Sequence, residues 1–141
     1  MIKGHVVGTN GNIAKVSDWG QLVVGALEYS SFYNALADTN DVPVNVIPPK
    51  SNKRFVITAI VVYANKNVSA NTDATVTIYE GTGPTTAKAS TDITIFTQDV
   101  PQKNTLTLTG LNIIVSEGVW VNGVTNDDDV QFNISGYYID A

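Results

Sequence analysis

The sequence predicts an all-β protein: an antiparallel two-sheet sandwich of jelly-roll type with an extended N-terminal arm. Three observations lead there. Apolar and polar residues alternate repeatedly along the chain, while helical periodicity is scarce. Thr, Val and Ile dominate the alternating runs, and their branched side chains fit a pleated surface better than a helix. Turn signals separate the runs at fairly even spacing, as in sandwiches and barrels. The chain has 141 residues, enough for one core. Apolar types make up 43% of it and charged types only 15%, against roughly 25% charged in globular domains. That composition suits a packed domain with part of its surface covered by a partner.

The first forty or so residues differ from the rest. Gly4, Gly8, Gly11, Gly20 and Gly25 interrupt short apolar pieces such as Val6-Val7, Leu22-Val23-Val24 and Ala26-Leu27. These pieces are too short and glycine-rich to build a core and too apolar for a solvated linker. Residues 1–41 therefore read as an arm or hairpin region and residues 42–141 as the sandwich domain. Val6, Val7, Trp19, Leu22, Val23 and Val24 are the candidate protein interface, because an arm of this kind lies against its own sandwich or a neighbour. Tyr29 to Ala37 is expected to form a helical turn.

From Val42 onward about eight strands are expected. Val44 to Ile47 is the first. Arg54 to Tyr63 lacks polar alternation and reads as a long central strand buried on both faces. Ala74 to Glu80 alternates, with Val76 and Ile78 on one face and Thr75, Thr77 and Tyr79 on the other. Ile93 to Phe96, Thr105 to Thr109, Leu111 to Val115, Val119 to Val121 and Val130 to Gly136 complete the set. Turns are expected at Asn10-Gly11, Asn40-Asp41, Pro48-Pro49, Asn65 to Asn71, Gly81 to Pro84, Pro101 to Asn104 and Asn126 to Asp129. The predicted core is Phe55, Ile57, Val61, Val76, Ile78, Leu106, Leu108, Phe132 and Ile134.

Several function classes lose their required residues. The net charge of −5 opposes nucleic-acid binding, and the one basic cluster, Lys50, Lys53 and Arg54, reads as a solvated approach to a strand. Cysteine is absent, which excludes disulfides and thiolate metal sites. His5 is the single histidine, so the common Ser/His and Cys/His arrangements lack a member. The Gly81-Thr82-Gly83-Pro84 stretch reads as a turn rather than a phosphate loop, because proline removes an N–H. Asn126-Asp127-Asp128-Asp129 is a dense oxygen cluster, but it lacks calcium-loop spacing and reads as a turn. Tyr63, Tyr79, Trp120, Tyr137 and Tyr138 lie on predicted strands and read as packing aromatics, with sugar stacking as the alternative. No apolar run is long enough for a signal peptide or a membrane span. The expectation is a non-enzyme without cofactor or metal that binds neither nucleic acid nor membrane.

The order of segments resembles small jelly-roll accessory proteins of tailed-bacteriophage virions, especially capsid decoration (cement) proteins. The likeness runs through Gly4-His5-Val6-Val7-Gly8, Asn12 to Val16, Trp19 to Val24, Lys53 to Thr58, Ala74 to Glu80, Glu117 to Asn122 and Gly136-Tyr137-Tyr138. It implies a virion protein made in the host bacterial cytoplasm, a homo-oligomer (often a trimer), with the major capsid protein or another virion protein as partner. It supplies no catalytic residues. Such a protein would bridge capsid subunits and stabilise the shell. The alternative is a receptor- or carbohydrate-binding knob or fibre-tip module.

Overall fold

The computed structural model describes residues 6–7, 13–14, 30–65 and 73–141. Trp19, Leu22, Val23 and Val24, the Asn10-Gly11 turn and the Asn65 to Asn71 turn beyond Asn65 lie outside the described residues, as does His5. Among the described residues there is no helix. Two short strands, β1 (Val6–Val7) and β2 (Ile13–Ala14), pair antiparallel with each other. The remaining strands are β3 (Ser30–Ala37), β4 (Val44–Ile47), β5 (Lys53–Ala64), β6 (Ala74–Gly81), β7 (Thr94–Val100), β8 (Thr105–Leu108), β9 (Ile113–Ile114), β10 (Trp120–Thr125) and β11 (Val130–Asp140).

These form two antiparallel sheets. One has the order β4-β10-β6-β7, and the other runs β3-β11-β5-β8 with β9 also on β5. Leaving β9 aside, the strands pair symmetrically about the β6–β7 hairpin: β6 with β7, β5 with β8, β4 with β10 and β3 with β11. The chain is thus a ribbon of nested pairs, folded so that alternate pairs fall in opposite sheets. The pairings β10–β6 and β11–β5 join the pairs within each sheet. Between the sheets lies one core, to which Ile47, Phe55, Ile57, Ile60, Val62, Val76, Ile78, Val121, Phe132 and Ile134 contribute.

Two expectations are corrected. Tyr29 to Ala37, expected as a helical turn, is strand from Ser30 on and pairs with β11 over eight residue pairs, so the sandwich includes a strand from the N-terminal side of residue 42. Phe32 and Leu36, four residues apart, share a face in a helix and in a strand alike, and only the tertiary pairing separates the two. Val61, expected in the core, is half-buried on the outer face, while Ile60 and Val62 are fully buried. The cause is a bulge: Ser135 opposes Ala59 but Gly136 opposes Ile57, which leaves Thr58 as an extra residue. Beyond it the inward positions change from odd to even. Leu106 and Leu108 pack against the core from its margin.

Gly136 makes this bulge possible. A Cβ there would lie 1.9 Å from the Val56 carbonyl oxygen and within 2.9 Å of the Phe55 ring. No L side chain fits without displacing a backbone. Gly123 has a milder role, since a Cβ on it would meet the Phe132 ring at 3.0 Å, so that ring would have to give way. The bulge has a direct consequence for stability. Ile60→Ala should cost about 2–5 kcal/mol as a cavity in the core, whereas Val61→Ala on the half-buried outer face should cost under about 1 kcal/mol. Urea unfolding of both variants checks this, and equal losses would contradict the parity change.

Candidate functional site

The start of β5 and the end of β11 form an aromatic corner. The Phe55 ring meets Tyr33 and Tyr138 edge-on, at centroid distances of 5.7 and 5.0 Å. The Tyr33 and Tyr138 hydroxyls are hydrogen-bonded at 2.6 Å, and the Lys50 ammonium lies 4.9 Å over the Tyr138 ring. Burial raises the Tyr138 phenol well above the usual tyrosine value, and the bond to Tyr33 raises it further. Lys53 pairs with Asp140 across the strand ends, and Arg54 is exposed. The expected basic cluster is therefore divided among three surroundings and forms no phosphate cradle. Beside this corner, Pro49, Lys50, Ser51, Asn52, Glu117 and Gly118 line an open cleft of about 360 Å³.

The outer face of the four-stranded sheet is covered at one end by its own loop, residues 82–93. Tyr79 and Asn122 sit beneath it, fully buried. The Tyr79 hydroxyl donates to the Thr86 carbonyl at 2.6 Å, and Asn122 Nδ2 donates to the Gly83 carbonyl at 2.8 Å. Burial raises the Tyr79 phenol, an effect opposed by a hydrogen bond with Asn122. Gly81 to Pro84 is the turn that starts this cover, and Thr86 Oγ1 caps it by accepting from the Gly83 amide. Farther along the same face, Thr75 bonds Asp99 at 2.6 Å and Thr77 bonds Thr97 at 3.0 Å. This is a solvated polar ladder of ordinary kind.

The acidic run also works as turn chemistry. Asp127 is buried, and its carboxylate accepts from Gln102 Nε2 at 2.7 Å and from the Asp128 amide at 2.9 Å. Asp129 has the positive φ of 55° that closes the turn into β11. Among the described residues no three His, Cys, Asp or Glu side chains gather where they could share a metal ion.

The outer face of the five-stranded sheet is different in kind. From Leu36 on β3, through Gln131, Asn133, Ser135 and Tyr137 on β11 and Ala59, Val61 and Tyr63 on β5, to Thr105 and Thr107 on β8, it carries no charged residue. Arg54 bounds it at one end. Phe32 and Leu36 on β3 are 62% and 55% exposed, and Ile114 on β9 is 51% exposed. Large apolar side chains standing in water on an uncharged sheet face make it the candidate interaction surface.

Of the residues expected at an interface, Val6 and Val7 form β1, and the others lie outside the described residues. Reading the sequence missed Phe32 and Leu36. The available signal was the alternation Phe32, Asn34, Leu36, which becomes informative once the segment is taken as a strand. Among the expected aromatics, Tyr79 is inside, Tyr138 is engaged in the corner, and Trp120 and Tyr137 are half-buried. Val121 points into the core, so Trp120 lies on the outer side of its sheet.

Fold and surface together define a β-sandwich with an uncharged, partly apolar sheet face. No family model matches the chain, and no curated protein matches it.

The two raised tyrosines make stability depend on pH in a defined direction. The folded state holds both phenolic protons more tightly than the unfolded chain, whose tyrosines ionise near pH 10. Their contribution is present below that pH and is lost as pH rises above it. The urea midpoint should therefore be unaffected by them below about pH 9 and fall above about pH 10. Tyr138→Phe should flatten that fall, and an identical fall in the variant would contradict the assignment.

Proposed function

We propose that this chain is a structural virion protein of a tailed bacteriophage, most simply a capsid decoration protein that docks on the shell and reinforces it without catalysing a reaction. The observation that carries a docking role is the uncharged outer face of the five-stranded sheet with Phe32, Leu36 and Ile114 exposed on it. A net charge of −5 keeps the rest of the surface soluble and leaves this face free for a neutral protein partner. The nested ribbon of antiparallel pairs in a two-sheet sandwich supports a jelly-roll reading, in line with the resemblance in segment order to virion accessory proteins. Fold alone does not set function, so the role rests on the face and on that resemblance. Many symmetric copies, each with a modest contact, would add to a large total stabilisation of a shell.

One feature favours the alternative of a receptor- or carbohydrate-binding knob. The open cleft gathers Lys50, Ser51, Asn52 and Glu117, side chains able to hydrogen-bond a sugar. Tyr138 beside it is not free to stack on a ring, because Lys50 and Phe55 already occupy it.

Gel and mass-spectrometric analysis of purified particles separates the two. A decoration protein should be present in copy number comparable to the capsid protein, and adding the purified chain to undecorated shells should raise the temperature at which they open. A handful of copies per particle, together with glycan binding that Lys50→Ala or Glu117→Ala abolishes, would replace the decoration reading with the knob.

A further inference from the structure

Each sheet of an open sandwich ends in two edge strands, whose unpaired N–H and C=O groups invite another strand unless something blocks it. Three of the four edges here are blocked. β4 has only four residues, lies between Pro43 and Pro48, and carries a bulge in its pairing with β10. β7 presents Asp99, shifts register beside Ile78 and runs into Pro101. On the far side of β5, β8 and β9 are short pieces of one edge, broken at residues 109–112 where Gly110 has a φ of +69°.

β3 has none of these devices. Its eight residues pair with β11 in unbroken register, and it holds no proline and no charge. Among the described residues no strand occupies its outer edge. The even positions Phe32, Asn34 and Leu36 face out, while Tyr33, Ala35 and Ala37 face the core.

We propose that β3 pairs antiparallel with β3 of a second copy, about a two-fold axis at Asn34 that makes one continuous sheet through both sandwiches. Self-complementarity selects a second copy. With Asn34 opposite Asn34, Phe32 of each chain lies opposite Leu36 of the other, and the outward faces stay aligned because the shift is by whole pairs. Charge agrees, since copies that each carry −5 meet here without bringing any charged side chain of β3 together. The contact is isologous and closes as a dimer, in contrast to the three-fold closure that resemblance to decoration proteins suggests. It stands independently of the virion role, and it would join two uncharged faces into one broader docking surface.

The full chain tests this in solution. Sedimentation and light scattering across a concentration series should find a particle of twice the 15.1 kDa chain mass. Phe32→Lys with Leu36→Lys sets ammonium opposite ammonium and should leave only monomer. Phe32→Glu with Leu36→Lys sets carboxylate opposite ammonium and should keep the dimer. Both pairs sit on exposed positions, and circular dichroism checks that each variant is folded. A second readout needs no destabilising change: the chain has no cysteine, so under mild oxidant Asn34→Cys should yield covalent dimer and Phe32→Cys should not. A wild-type monomer at all concentrations, a trimer, a dimer indifferent to the paired lysines, or equal cross-linking by both cysteine variants would each overturn the proposal.

Discussion

Eleven residue pairs join β5 to β11, and the slip in register between Ser135 and Gly136 decides which face every side chain beyond it occupies. Before the slip Phe55 and Ile57 point inward; after it Ile60, Val62 and Ala64 do. On β11 the same slip sets Val130, Phe132 and Ile134 inward and lets Tyr138 reach the aromatic corner at the other end. The slip depends on the missing side chain of Gly136, over which the Val56 carbonyl and the Phe55 ring close. A two-residue periodicity propagates any local change along the whole strand, so one backbone contact settles the core face and the outer face together.

The outer strands inherit that register. Among the described residues β3 joins the sheet only through β11, and β8 and β9 only through β5. Because the ribbon is nested, its closing pair is also the one between segments farthest apart in sequence, as in the Tyr33–Tyr138 bond that spans 105 residues. Such non-local pairings must meet their loop-closure cost before their contacts offset it. The exposed row of Phe32 and Leu36 thus exists only when the β5–β11 pair has set β11 in its register, which ties the candidate interaction face to a pairing between distant parts of the chain.

Most strands from Val44 onward could be read from the sequence because alternation and turn chemistry act within a few residues. Val44 to Ile47, Ala74 to Glu80 and the start of β11 at Val130 needed nothing from the rest of the fold. Positive φ at Asp41, Lys103 and Asp129 falls inside turns that composition had marked. What escaped the sequence was non-local. The Val61 error follows from a bulge that Gly136 permits from the opposite strand, and nothing within β5 itself announces it. The strand at Ser30 to Ala37 was missed because Phe32 and Leu36 satisfy both periods. The interaction face went with it, since the face is a property of four strands side by side and no single segment displays it.

The two outer faces are built on opposite principles, and the contrast singles out the candidate interaction surface better than either face alone. On the four-stranded sheet the polar side chains of the outer face find partners within the chain. Tyr79 and Asn122 are roofed by the chain's own loop, and the threonines beyond it hydrogen-bond one another and Asp99. On the five-stranded sheet, Phe32, Leu36 and Ile114 remain in water, and the polar residues among them are neutral amides and hydroxyls. A sequence with only 15% charged residues has few charges to place, and three of its acids stand together in the turn at Asp127 to Asp129. Keeping charge off the middle of this outer face, with Arg54 only at its end, while exposing aromatic and aliphatic side chains gives up solubility with no return in the core. That arrangement makes this face the candidate interaction surface of the sandwich.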